Sequence, residues 1–137
     1  MNLSFSGLDE LLRQLEQLDG GIADAMDEML KAGAAEVTAV WKREAEARGH
    51  VDTRDMIDSI APTRPWKTRN DARGIAIYPQ GNDRTGVRNA TKAFWLNYGT
   101  ERGIPGDGWV ENADSRSESP AMEAMQAVYD RFIQKNE

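Results

Sequence analysis

Leu3 and Phe5 alternate with Ser4 and Ser6, the two-residue period of a short strand with one buried face. The period then lengthens. Leu8, Leu11, Leu12, Leu15 and Leu18 recur at helical spacing, Ser6 can cap the segment with Asp9 three residues on, and Asp19-Gly20-Gly21 ends it. A longer helix is predicted from Ile22 to Arg48, with Ile22, Met26, Met29, Gly33, Val37, Val40 and Trp41 along one stripe. At 1.5 Å per residue it spans about 40 Å. Gly33 costs about 1 kcal/mol of helix propensity against alanine, so a close approach of another backbone is expected there.

Gly49-His50 ends that helix, and a third, from Thr53 to Ile60, is predicted with Asp52 or Thr53 as cap and Pro62 as stop. Trp66 to Arg69 and Gly74 to Tyr78 flank Asn70-Asp71, the signature of a hairpin. Pro79 to Asn89 is almost devoid of apolar residues and reads as a long mobile loop. Phe94, Trp95, Leu96 and Tyr98 read as a short helix closed by Gly99. Gly103 to Gly108 reads as a second loop and Trp109-Val110 as a short strand. The last helix is predicted to open with Ser119 as cap and Pro120 at its first position, with Met122, Met125, Tyr129, Phe132 and Ile133 on one face. Together these elements predict an α+β fold: a small antiparallel sheet packed against one long helix and an amphipathic C-terminal helix, with residues 1–137 as one domain.

Composition changes little of this picture but narrows the chemistry. The 137 residues are 39% hydrophobic and 29% charged, as in an ordinary soluble globular chain. Cysteine is absent, which excludes disulfides, thiolate metal sites and a cysteine nucleophile. The first residues do not read as a secretory signal, and no window approaches the roughly 20 apolar residues of a membrane span, so a soluble intracellular product is expected. Net charge is −6, unevenly spread. Residues 1–50 hold 10 acidic and 5 basic side chains, residues 51–110 hold 7 and 9, and residues 111–137 hold 6 and 3. Such a chain is a poor candidate for tight nucleic-acid binding, which depends on phosphate neutralisation.

The candidate chemistry is sparse. His50 is the only histidine and no Gly-x-Ser-x-Gly elbow accompanies it, so a structural place at a helix end is expected. Acids cluster at Asp24, Asp27 and Glu28, and again at Asp52, Asp55 and Asp58. The second set shares a helix face and could hold a hard cation, but helix-end stabilisation is the stronger reading. Gly103-Ile104-Pro105-Gly106-Asp107-Gly108 lacks the Gly-Lys-Ser/Thr ending of a phosphate loop. Asn89-Ala90-Thr91 matches a glycosylation acceptor only by accident, given no secretory route. No cofactor, metal or catalytic residue is expected. Arg64, Trp66, Lys67, Arg69 and Arg73 interleave four cations with a ring on the hairpin. They could touch a phosphate backbone or the acidic helices of a neighbouring subunit, and the protein contact is favoured. Trp95, Tyr98 and Trp109 are expected to form one cluster tying the Gly99-Thr100 loop to the terminal helix.

These residues, taken in order, resemble the small neck proteins of long-tailed bacteriophages, described as tail-completion, head–tail joining or minor tail components. The ordered motifs are Gly7-Leu8-Asp9-Glu10-Leu11-Leu12, a long Ala-rich helix, Thr53 to Ser59-Ile60, the aromatic run ending in Tyr98-Gly99-Thr100, and Trp109-Val110 with Ala113 before a terminal helix. The family-motif core would be Trp95, Tyr98, Gly99, Thr100 and Trp109. The chain departs from the family pattern at Arg54, where glycine is usual, at Asn97, where glutamate is usual, and at Gly106-Asp107-Gly108, where prolines are usual. The resemblance implies a structural virion protein without enzymatic activity. It implies a homo-oligomeric ring, hexameric by expectation, between the portal-side head connector and the tail tube or tail terminator, with packaged DNA in or near its channel and no membrane. It would be located in the virion neck, after assembly in the host cytoplasm. The alternative from the residues alone is a small cytoplasmic nucleic-acid-binding or protein-interaction module.

Overall fold

The strand on which the sheet is built is β4 (Arg73–Pro79), which carries every other strand of a four-stranded antiparallel sheet. The computed structural model describes residues 1–5, 22–52, 54–67 and 72–135. On one side of β4 lies β1 (Asn2–Phe5), with Leu3 opposite Ile75. On the other lie β2 (Ile60–Pro62), with Ala61 opposite Tyr78, and β3 (Trp66–Lys67), with Trp66 opposite Gly74. The hairpin and the amino-terminal strand therefore form as their sequence periods predict. Pro62 and Pro65 sit along the β2–β3 edge, where neither has an N–H to offer an incoming strand.

One face of the sheet packs on α1 (Ile22–Ala47). Alternation along β4 sends Ile75 and Ile77 inward to Leu30, Ala34, Val37 and Trp41 of α1, while Ala76 and Tyr78 point the other way. Each fully buried aliphatic side chain of this kind contributes about 1.5–3 kcal/mol. Gly33 is buried in this layer, and a Cβ there would stand 2.9 Å from Leu3 Cδ1 and 2.9 Å from Met125 Cγ. The close approach expected at Gly33 is thus made by side chains from two elements rather than by a backbone.

The terminal helix departs from its predicted bounds. The structure places α4 over Trp109–Lys135, absorbing the predicted Trp109-Val110 strand and running through Pro120. Its buried stripe is Trp109, Ala113, Ser117, Ala121, Met125 and Val128. Small residues dominate that stripe, so it lacks the hydrophobic signal that marks a helix face, yet they let α4 lie close along α1. A proline in a helix interior costs about 3 kcal/mol; burial of both halves of α4 against α1 offsets it. With the register set this way, Met122 is 65% exposed and Tyr129 also faces outward, contrary to the predicted apolar face.

The third helix shrinks to one turn, α2 (Asp55–Asp58), with β2 beginning two residues later. Its N-cap is Arg54, without a capping side chain, and not Asp52. Arg54 is the one non-glycine residue with positive φ among the described residues, at 64°. L residues adopt that left-handed conformation at a cost that glycine does not incur. Glu46 accepts a 2.7 Å hydrogen bond from the Arg54 guanidinium and helps hold it. The predicted helix over residues 8–18, the Thr53 cap and the Asn70-Asp71 turn lie outside the described residues.

Candidate interaction surface

The aromatic run forms α3 (Asn89–Tyr98), longer than the predicted segment and closed by Gly99 at φ 85°. The loop before it is ordered by one side chain. Asp83 Oδ1 accepts from the Thr85 and Val87 amides and from the Thr85 hydroxyl, and its carboxylate pairs with Lys92 of α3. Lys92 first, then the Thr85 hydroxyl and the two amides, hold the Asp83 carboxyl well below the usual carboxylate range. A stretch that reads as polar loop is therefore a tied turn.

The loop after α3 is clamped at both ends. Backbone closes the near end: a Cβ on Gly106 would stand 2.5 Å from the Tyr98 carbonyl carbon, and one on Gly99 2.8 Å from the Gly106 nitrogen. At the far end Asp107 joins three elements. Its Oδ1 accepts the Trp109 amide and so caps α4, its Oδ2 lies 2.7 Å from His50 Nε2, and its carbonyl accepts from Arg48. His50 thus has the structural place expected of it, beyond the end of α1 and edge-on to Trp109. Asn97 completes the junction. Its Oδ1 accepts the Val110 amide and its Nδ2 donates to Glu111, drawing that carboxyl's pKa down. Asn97 and Asp107, both at departures from the family pattern, are the residues that seat α4 on α3.

This geometry divides the expected aromatic cluster. Trp109 is fully buried, edge-on to Trp41 at 5.4 Å between ring centroids, and its Nε1 donates to the Ala93 carbonyl. Trp95 is 38% exposed and Tyr98 65% exposed, on the solvent side of α3, where Tyr98 packs on Phe94 at 4.7 Å. The reason is helical register: Ala93 and Asn97 take the inward positions of α3, leaving 94, 95 and 98 outward. Gly99 and Thr100 instead close the loop, the Thr100 amide donating to Ile104. Of the outward rings Trp95, together with exposed Ile104, borders a cleft of about 260 Å³ lined by His50, Asp52, Met56, Trp95, Leu96 and Ile104. Neither Phe94 nor Ile104 was placed at a partner surface from sequence; the four-residue spacing of Phe94 and Tyr98 is the signal that marks a paired outer face.

The hairpin residues are also divided. Arg64, Trp66 and Lys67 are exposed, and the Trp66 indole lies over Gly74, whose added Cβ would meet it at 2.7 Å. Arg73 points inward and donates to Asp27 of α1 at 3.3 Å, so this cation is engaged within its own chain. Arg69 lies outside the described residues. The acids Asp52, Asp55 and Asp58 do not converge on a cation: Asp55 takes the Arg84 guanidinium at 2.8 Å and Asp58 faces Arg54 at 3.9 Å. Among the described residues no group of three or more His, Cys, Asp or Glu side chains could hold a metal ion. No helix among them is long and apolar enough to cross a membrane.

An α+β chain that exposes an aromatic face is suited to contact with other proteins. The family model HK97-gp10-like, described as a tail component of bacteriophage, matches residues 9–99, and the chain belongs to that family. Membership gives it a structural role among virion proteins and a place in the virion. No curated protein and no solved structure matches the chain.

Proposed function

We propose that the chain acts as a single-domain ring subunit of the phage neck, completing the tail and joining the head connector to the tail tube. The observation that carries this reading is the exposed aromatic face of α3, on a member of a phage tail-component family. Large rings kept in solvent cost solubility unless a partner covers them. A ring of identical subunits, six by expectation, would cover them by meeting head to tail. The net charge of −6 suits a channel wall along which DNA passes without adhering. In isolation the subunit would associate weakly, with closure driven by the connector or the tail end. The hairpin supplies a second partner surface through Arg64, Trp66, Lys67 and Arg69, with Arg73 removed from it by Asp27.

Complementation of a phage lacking this gene tests the reading. Arg64→Glu with Arg69→Glu is expected to yield filled heads and complete tails that do not unite. Normal infectious particles would show the hairpin to be a solvated surface. The exposed indole between Arg64 and Lys67 favours a second reading, a site for nucleic acid. An affinity for DNA falling steeply with salt would support that alternative.

A further inference from the structure

We propose that the free edge of β1, with the flank of α4 beside it, takes an extended segment of a different virion protein, apolar and basic on the side that faces the helix. The proposal rests on the reading of the chain as an assembly subunit and names one surface that holds a non-identical partner. β1 ends its side of the sheet, since it pairs only with β4. Met1 and Ile77 exchange two backbone hydrogen bonds, at 2.9 and 2.8 Å. Bonded pairs alternate along an antiparallel ladder, so Leu3 and Phe5 also turn their N–H and C=O groups to β4. Asn2 and Ser4 turn theirs the other way, and both residues are exposed. Among the described residues, no strand meets these two donors and two acceptors.

The helix layer beneath the next strand position decides its chemistry. β4 lies over α1, while Leu3 of β1 reaches the seam between α1 and α4, where it meets Gly33 beside Met125. Strands are spaced about 4.8 Å apart and packed helices about 8–10 Å, so a strand one place beyond β1 lies over α4. Helical spacing sets which α4 side chains turn to that place. Asp114, 3.9 Å from the Met1 amine, is followed at four-residue steps by Glu118 and Met122, and Met125 is followed by Tyr129. Met122 is 65% exposed and Tyr129 37%. An unpaired strand edge and an uncovered apolar pair therefore meet on one side of the molecule.

Charge and backbone choose the occupant. Glu118 makes no ion pair among the described residues, and the cation one turn away, Arg116, is turned to Glu44 of α1 at 2.9 Å. A second copy fits this place poorly. Its β1, brought in about a two-fold axis, would set Glu118 and Asp114 against their own counterparts. Its β2–β3 edge lacks N–H groups at Pro62 and Pro65. A segment of another chain, with an apolar residue opposite Leu3 and a lysine or arginine toward Glu118, satisfies the backbone and the side chains together.

The probe is a capped Val-Thr-Val-Thr-Lys peptide, with the same peptide ending in Glu as control, each titrated into the isotopically labelled full chain. The Asn2 and Ser4 amide signals are expected to shift saturably with the lysine peptide, and the glutamate peptide to bind at least about threefold more weakly. Ser4→Pro removes an N–H that has no partner among the described residues, so the fold should persist while affinity falls about fivefold or more. Glu118→Lys leaves the strand untouched and should reverse the preference between the two peptides; if Ser4→Pro melts early, that reversal alone decides. No saturable shift, equal affinity for both peptides, or undiminished binding by a folded Ser4→Pro would each overturn the proposal. Shifts of Asn2 and Ser4 that grow with protein concentration in the absence of peptide would overturn it in favour of a second copy. In phage complementation a folded Ser4→Pro is expected to yield no infectious particles, and normal particles would overturn the use of this edge in the virion. The head–tail reading is tested separately by the Arg64 and Arg69 variant, so either can fail without the other.

Discussion

Trp109→Ala should be among the most damaging single substitutions in this chain, and Tyr98→Ala among the mildest of its aromatic replacements. Trp109 has no exposed surface, and it packs on two helices and on the residue beyond one of them: Trp41 of α1 at 5.4 Å, His50 at 5.8 Å, and the Ala93 carbonyl of α3 through its Nε1. Truncating a buried tryptophan costs about 3–5 kcal/mol, and the Ala93 carbonyl is left unpaired besides. With a urea slope of about 2 kcal/mol per molar, a loss of about 4 kcal/mol lowers the unfolding midpoint by about 2 M. Tyr98 gives up its contact with Phe94, worth about 0.5–1.5 kcal/mol, and a solvent-exposed hydrogen bond to Glu111, for a shift below about 1 M. Helical ellipticity followed through urea titration measures both without relying on tryptophan emission. Equal midpoint shifts, or a larger one for Tyr98→Ala, would refute the division of the aromatic residues into core and surface.

Asp83→Asn should destabilise most at neutral pH. Because the folded-state pKa of Asp83 is depressed, its contribution is complete above the ordinary carboxylate value of about 3.9 and declines as pH falls below it. The stability gap between variant and unmodified chain should therefore narrow in acid; a gap as wide at pH 3 as at pH 7 would refute the network. Arg54→Gly should hold or raise the melting temperature, because glycine adopts φ 64° freely, whereas Arg54→Val should lower it. A glycine variant melting below the unmodified chain would show that the Glu46 pair outweighs the backbone.

Elements carried by a clear period were legible from sequence. The serine-alternated β1, the Met/Val/Trp stripe of α1 and the hairpin strands appear as their patterns predict. Where the prediction failed, a local signal competed with burial. Ser119-Pro120 is a strong helix start, yet Ala113, Ser117 and Ala121 pack so closely on α1 that the helix begins at Trp109 instead of Pro120. Nothing in the hydropathy of 83–92 marks Asp83 and Lys92 as partners, because the turn between them is held by side-chain oxygen and not by apolar contact. At the surface, the aromatic content of 94–109 was evident, but its division into core and outer face depended on the register of α3. Ala93 and Asn97 set that register, and neither is conspicuous. The departures from the family pattern were more informative than they looked. Arg54 occupies a glycine's backbone, while Asn97 and Asp107 rebuild a helix start with amide and carboxylate oxygens.

The two prolines on the β2–β3 edge bear on how such a subunit can be stored before it is used. A structural protein made in quantity must not polymerise ahead of its turn, and an open sheet edge invites any copy to add a strand regardless of side chains. Without N–H groups at Pro62 and Pro65, that edge cannot be read as a generic template. Recognition there falls to side chains, which can discriminate between neighbours and do so at defined angles. A neighbour meeting that edge would then be selected by side-chain fit and not by strand addition.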